Sequence, residues 1–177
     1  LYNAFSVLLL GVFCGPVANG LFDAGTKLVD ISQQFLKIIS RTFFPFLSRK
    51  IDKHTLFSKI YMLFTLIVTL GLIFFAPFLI PVFFSEEFSE SIKVLRLMAI
   101  SGVFLTMSNI YGTNYLIIIG RERSLRNLTM YASLLGFVIA IPLIYYGGYM
   151  GAVAIIVFVR MLLGVGSYLL AYNLSLI

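Results

Sequence analysis

Among the long stretches of this sequence that contain no charged residue are residues 1–22, 60–85 and 127–159. A helix needs about 20 apolar residues to cross the ~30 Å hydrocarbon core of a bilayer, so each stretch is long enough for a crossing. The 177-residue chain is 60% hydrophobic and only 11% charged, which is more apolar surface than a core of this size could bury. The sequence therefore predicts an all-α integral membrane protein.

The third stretch is too long for one crossing, and the tyrosines and glycines at 145–151 divide it. Basic loops follow the second and fourth spans, and an acidic loop follows the third. Because Lys and Arg concentrate in cytoplasmic loops, this alternation places both ends in the cytoplasm. The chain opens on Leu1 rather than Met, so we expect a piece of a longer protein. We expect one bundle over residues 1–177 with spans at about 1–22, 24–48, 60–85, 97–119, 127–146 and 150–173.

The second predicted span carries an unusual polar stripe. Its members step by three and four residues, which places them within an arc of roughly 80° on a helix. A charge near the bilayer centre costs on the order of 2.5–3.5 kcal/mol, so such residues usually face a polar cavity or a partner. We interpret Lys37 and Arg41 as substrate-binding cations and the other members as cavity-lining or ion-coupling. Alternatively, the acids pair with Lys27 and Arg41 reaches the nearer surface. The stripe consists of Asp23, Lys27, Asp30, Gln34, Lys37 and Arg41.

A second intramembrane cation, Arg160, lies near the middle of the last span, too deep to reach either surface easily. We interpret it as a further substrate-binding cation; the alternative is a structural partnership with Asp30 or with an acid outside this sequence. Asn109 and Asn114 give the fourth span a milder polar character. They either line the same cavity or form hydrogen bonds between helices.

Several classes of protein are disfavoured by the sequence. Cys14 lies within an apolar span and His54 is expected in a loop, so no disulfide, metal site or Cys/His centre can be assembled. No nucleophile elbow, phosphate-binding loop or paired-carboxylate site is present, so we expect neither an enzyme nor a cofactor. The net charge of +6 is distributed in short clusters between spans, which argues against nucleic-acid binding.

Four stretches resemble one known family. Residues 41–49, RTFFPFLSR, look like the end of a transmembrane helix in Wzx-type polysaccharide flippases, which often reads P-x-L-S. Three further stretches are similar to that family in order and spacing: the proline-rich helix end and acidic loop at 77–87 followed by Val94, Leu95 and Arg96; Asn109, Tyr111 and Gly112; and Gly120, Arg121 and Glu122.

The resemblance implies a place in the MATE-like superfamily, whose members have about twelve spans in two bundles, with this chain as the C-terminal bundle. It implies a substrate, an oligosaccharide unit on polyprenyl pyrophosphate, moved across the bacterial inner membrane for O-antigen or other polysaccharide synthesis. Alternating access coupled to an ion gradient is the implied mechanism. The implied partners are the lipid bilayer, the missing N-terminal bundle and the polysaccharide polymerase machinery.

Two other readings stay open. A multidrug or lipid II exporter of the same superfamily would share the fold, although a cation exporter would be expected to carry carboxylates where this chain carries Lys37, Arg41 and Arg160. A non-transporting membrane subunit of a polysaccharide synthase would use these charges only to pair with partner helices.

The loop charges generate a prediction about topology. In a Cys14→Ser background, Lys53→Cys and Arg123→Cys should react only with a thiol reagent that reaches the cytoplasm, because both belong to basic loops. Glu87→Cys, in the acidic loop, should react with an impermeant reagent added outside. Reaction of Lys53→Cys and Glu87→Cys from the same side would contradict the alternation of spans.

Overall fold

The computed structural model describes residues 2–173, with side chains described from residue 4 onward. Within these residues the chain consists of helices joined by short turns and contains no strand, as the sequence predicts. Leu1, the predicted start of the first span, and residues 174–177 lie outside the described residues. The elements are α1 (Tyr2–Arg49), a 3-10 turn (Ile51–Lys53), α2 (His54–Phe84), a 3-10 turn (Glu86–Phe88), α3 (Ser91–Met107), a π-helical segment (Ser108–Leu116) and α4 (Glu122–Asn173).

The first helix, α1, folds back on itself at Gly15. This residue has φ 82° and ψ −179°, a backbone region that essentially only glycine enters. Residues eight apart in a straight helix are about 12 Å apart. Here a Cβ placed on Gly11 would lie only 2.9 Å from Asn19 Nδ2. The chain therefore reverses, and Pro16, which needs no hydrogen-bond partner for its nitrogen, begins the second arm.

The last helix, α4, reverses in the same way at Gly148, which has φ 57° and ψ −139°. A Cβ on Gly151 would collide with the carbonyl of Leu143, eight residues earlier in the chain. Four helices in the described chain are long and apolar enough to cross a membrane, and these two glycines divide the first and the last of them. That the resulting segments form six spans stays a prediction.

Two positions differ from what the sequence indicated. We expected the boundary between the first two spans at residues 22–24, but it is at Gly15. The Gly-Pro pair at 15 and 16 allows the chain to reverse there, whereas the polar residues that follow continue the helix. His54, expected in a loop, is the first residue of α2 and is buried. Its Nε2 lies 3.1 Å from the carbonyl oxygen of Ile110, so the imidazole can donate a hydrogen bond within the bundle.

Aromatic contacts show how the two reversed helices lie together. Phe5 stacks on Phe137 with ring centroids 4.1 Å apart, and Phe13 meets Tyr145 at 5.8 Å. The sequence separation is the same in both pairs, so the first arms of α1 and α4 run parallel. The second arm of α4 runs parallel to α3, because two contacts between them join residues that are the same 59 positions apart in the chain. These contacts are Tyr149 with Glu90 and Arg160 with Ser101.

The core is formed chiefly where α1, α3 and α4 meet. Glycine makes this close packing possible: a Cβ on Gly164 of α4 would collide with the backbone of Phe104 in α3. The exposed side chains of residues 60–84 are apolar, which suits contact with lipid tails. Fully buried side chains of this core include Leu10, Val29, Ile80, Val94, Leu95, Ile144 and Val159.

The reversal at Gly148 generates a stability prediction. Gly148→Ala should lower the stability of the full-length protein by about 1–3 kcal/mol, because alanine is strained at this φ and ψ. Gly147→Ala is the matched control: a Cβ there meets no atom within 4 Å and its φ is not positive. Thermal unfolding in detergent compares the two. Equal unfolding temperatures for both variants would show that the backbone at Gly148 is not strained.

Candidate functional site

The polar stripe lies on an exposed side of the second arm of α1. Another side of the same helix packs into the bundle, where Val29 and Leu36 are fully buried. The stripe is therefore open along the length of the described structure, with cations and carboxylates interspersed. All six of its predicted members are exposed: Asp23, Lys27, Asp30, Gln34, Lys37 and Arg41.

Arg160 occupies a different place from the other cations. Its side chain is only 3% exposed, inside the bundle behind the stripe. Nη1 donates a hydrogen bond of 2.9 Å to Ser101 Oγ on α3, and Nη2 lies 3.9 Å from Asp30 Oδ1 on α1. The guanidinium thus links three helices. The structural partnership with Asp30, which the sequence left as an alternative, is the arrangement observed.

A small cavity of about 150 Å³ lies beside this ion pair. Asp23, Thr26, Asp30 and Arg160 line its polar part. Asp30 is 54% exposed while its partner is buried, so this carboxylate forms the junction between the open stripe and the enclosed guanidinium. A cavity of this size and polarity can hold water between the charges.

The two asparagines predicted as cavity-lining lie deeper than the stripe. Asn114 is buried and donates a 2.7 Å hydrogen bond to Ser40 Oγ on α1. Asn109 is half-buried, and within the described residues its amide nitrogen has no hydrogen-bond partner. Asn114 therefore connects helices and does not line the open face.

The charged face contrasts with the other faces of the bundle. Residues 60–84 of α2 and 130–147 of α4 contain no charged residue, and their exposed side chains are apolar or aromatic. Exposed apolar side chains of this kind suit contact with lipid tails. Charged side chains that are exposed at a similar depth in the membrane do not, because a charge in the hydrocarbon core is costly. The stripe on α1 is therefore the face that needs a cavity or another part of the protein against it.

Sequence reasoning missed two contributions to the site. Ser101 is one of several polar residues of the fourth predicted span, and nothing in the sequence shows that a residue 59 positions from Arg160 contacts it. Thr26 lines the cavity beside Asp23 and was not singled out, since a lone threonine in an apolar span is common. Its position one turn from Asp30 on the same side of α1 was the available signal.

The asymmetry of the ion pair generates a prediction. Asp30→Asn should destabilise the full-length protein by about 1–3 kcal/mol, less than a fully buried pair, because it leaves Arg160 buried without its counter-charge. Arg160→Met should cost less, since the half-exposed carboxylate of Asp30 can turn to water. The double variant should recover most of the loss caused by Asp30→Asn.

Thermal unfolding in detergent measures all three variants. Asp23→Asn is the control, because Asp23 lines the same cavity but forms no ion pair in the described structure. The stabilising role of the Asp30–Arg160 ion pair is contradicted if Asp30→Asn unfolds at the same temperature as Asp23→Asn. It is also contradicted if the double variant is no more stable than Asp30→Asn.

Two curated proteins are similar to this chain. A "Putative O-antigen transporter" of Shigella dysenteriae is 30% identical over 168 residues, which are 92% of this chain and 42% of that protein. A protein of the same name from Escherichia coli strain K12 is 23% identical over 155 residues, 81% of this chain and 36% of that protein. No family model matches the chain, and no solved structure matches it.

The chain thus spans less than half the length of the curated relatives it matches. The similarity extends across nearly all of this chain. It includes the proline-containing end of α1 and the loop before α4, two of the stretches that resemble Wzx-type flippases. An all-helical structure with long apolar helices agrees with it. Over the matched region the chain is therefore similar to proteins named O-antigen transporters, in agreement with its resemblance to the Wzx-type family.

Proposed function

We propose that this chain is the C-terminal bundle of a flippase that moves a polyprenyl-pyrophosphate-linked oligosaccharide across the bacterial inner membrane. The observation that carries the proposal is the open charged stripe on α1, set among faces that are otherwise apolar. A charged face of this kind is stable in a membrane only against water or protein. A cavity shared with a second bundle provides both.

The charge of the stripe suits an anionic headgroup. Lys37 and Arg41 are exposed one turn apart on the same side of α1, so both can reach a single pyrophosphate. Arginine binds phosphate oxygens through two parallel hydrogen bonds, whereas lysine acts as a point charge. In this proposal Lys37 and Arg41 bind the pyrophosphate, and Arg160 contributes positive potential from behind through the small cavity.

The carboxylates of the stripe complete the proposal. Asp30 is held by Arg160 and is therefore less available to a cationic substrate. This favours an anionic substrate over the cationic drugs of a multidrug exporter. Lys27, Asp30 and Gln34 lie on the route along the stripe and are proposed to line it, with Asp30 responding to the coupling ion.

The rest of the longer protein would supply the opposite wall. The relatives are more than twice as long as their match to this chain, which leaves room for a second bundle. Rocking of two bundles around one site would expose the headgroup to each side in turn while the lipid tail stays in the bilayer. In this proposal both ends of this chain lie in the cytoplasm, because basic loops concentrate on that side of a membrane.

Alanine substitution of the two exposed cations tests the proposal. In a flippase-deficient strain carrying the full-length protein, Lys37→Ala or Arg41→Ala should lower O-antigen export about tenfold, as expected for one lost charge-assisted hydrogen bond of ~1.5 kcal/mol. Protein abundance should not change, because both side chains are exposed. Lys59→Ala, an exposed cation on α2 outside the stripe, should export normally.

Arg41→Lys refines the same experiment. It should restore export only in part, because lysine cannot form the paired hydrogen bonds of a guanidinium. Normal export by both alanine variants at normal abundance would remove the cationic stripe from the mechanism, and a parallel fall in abundance would make the cations structural.

A further inference from the structure

A groove lies on the outside of the bundle, between the end of α1 and the start of α2. Its volume is about 550 Å³, within the range of small-molecule sites in proteins. Ile39, Phe43 and Phe46 of α1 form one wall, and the other wall belongs to α2. The remaining lining residues are Lys50, Lys53, Leu56, Phe57, Ile60, Tyr61 and Phe64.

The shape of the groove is maintained by contacts within the protein. Phe43 and Phe57 meet across its inner end with ring centroids 5.6 Å apart, and Phe57 stacks on Tyr61 at 5.3 Å. The hydroxyl of Tyr61 donates a 2.8 Å hydrogen bond to the carbonyl of Leu36 and so turns away from the groove. The floor is therefore apolar and fixed, as a preformed site requires.

Both polar side chains of the groove are cations, and both lie at one end of it. Lys50 Nζ lies 6.0 Å from the ring centroid of Phe46, so its ammonium remains close to the apolar wall. Lys53 forms an ion pair of 3.8 Å with Asp52, but both side chains are more than half exposed, so this pair is weak. The ammonium groups remain available to an anion at the mouth of the groove.

The length of the groove matches one leaflet of a bilayer. From Lys53 to Phe64 it follows eleven residues of α2, about 16 Å at the helical rise per residue. This is close to half of the ~30 Å hydrocarbon core. A molecule with an anionic head at the lysines and a hydrocarbon chain along the aromatic wall would therefore lie within a single leaflet.

The position of the groove separates it from the charged stripe. At about 100° per residue, Ile39, Phe43 and Phe46 lie roughly 160° around α1 from the stripe residues Asp30 and Lys37. A substrate whose headgroup lies on the stripe would need its tail to pass around the helix to reach the groove. The occupant is thus better sought among the lipids of the surrounding bilayer.

We propose that this groove binds a membrane phospholipid with a net-negative headgroup, its phosphate at Lys50 and Lys53 and one acyl chain against Phe43, Phe46 and Ile60. Basic pockets between transmembrane helices on the cytoplasmic side bind anionic lipid headgroups in this way. The ligand of the groove is thus a lipid of the surrounding bilayer, and its binding does not depend on the transported substrate.

Retention of lipid by the full-length protein tests the proposal. The protein is reconstituted in nanodiscs of equal phosphatidylglycerol and phosphatidylcholine and extracted into detergent, and the retained lipids are counted by native mass spectrometry. The unaltered protein should retain phosphatidylglycerol preferentially. The double variant Lys50→Gln/Lys53→Gln should lose this retention about tenfold or more, because each lysine contributes attraction to the anionic headgroup.

Two further variants identify the groove. Ile60→Trp, at a side chain that is 61% exposed and lines the groove, should fill it and lower retention of either lipid. Arg121→Gln/Arg123→Gln, two exposed cations in the other basic loop, should retain phosphatidylglycerol like the unaltered protein. Equal retention of both lipids by the unaltered protein, or equal loss in this control, would overturn the proposal.

A competition experiment separates the bilayer lipid from the transported carrier. Adding a polyprenyl phosphate at the concentration of phosphatidylglycerol should leave the retained phosphatidylglycerol unchanged. The opposite result would be that polyprenyl phosphate displaces phosphatidylglycerol from the unaltered protein but displaces none of the phosphatidylglycerol that Ile60→Trp still retains. That result would show that the groove binds the tail of the transported substrate, and it would contradict the proposal.

Discussion

A guanidinium enclosed in a membrane bundle must find its partners inside the protein, and Arg160 finds them on two other helices. Ser101 on α3 and Asp30 on α1 are those partners. Leaving Arg160 without Asp30 costs about 1–3 kcal/mol, less than in a fully buried pair because Asp30 is half exposed, so this link restricts how α1, α3 and α4 can be arranged. The reach to Ser101 depends on glycine at 164, which lets α4 approach the backbone of α3. Packing and charge therefore support the same arrangement.

This arrangement gives α1 two separate outer surfaces. Its buried side, including Val29 and Leu36, is fixed against the bundle, which turns the charged stripe outward on one flank. The aromatic residues Phe43 and Phe46 are turned toward the opposite flank, where they meet α2. One helix thus presents charge toward the proposed cavity and an apolar wall toward lipid. The separation follows from the helical period, because Lys37 and Arg41 lie about 120° or more around the helix from Phe43 and Phe46.

The sequence predicted the parts of this structure that depend on local pattern. Membrane class follows from length and hydropathy, and the stripe from its three- and four-residue steps, which depend only on the helical period. The break between the first two spans was predicted near residue 22 because the uncharged stretch ends there, whereas the chain reverses at Gly15, inside that stretch. His54 was misplaced because its basic neighbours suggested a loop, while its imidazole is used inside the bundle. The Arg160–Ser101 contact joins distant residues, and no local pattern encodes it.

The π-helical segment Ser108–Leu116, which follows α3, makes two polar contacts with other helices. Its hydrogen bonds skip one residue more than in an α-helix, as in the 3.3 Å bond from Ile117 N to the carbonyl of Gly112. Each residue added to a turn rotates the following side chains by about 100° around the helix. That rotation directs Asn114 toward Ser40 on α1, while the carbonyl of Ile110 meets His54 on α2.

These two contacts offset the poorer geometry of the π-helix, a form that is rare and often associated with function. They also use polar groups that would otherwise be buried without partners, at about 1–3 kcal/mol for each group. Only Asp30, through Arg160, joins the charged face of α1 to the polar contacts inside the described bundle. Ser40 lies on α1 between the two, buried beside the exposed Lys37 and Arg41, so the helix that carries the stripe is also the helix that the π-helical segment holds in position.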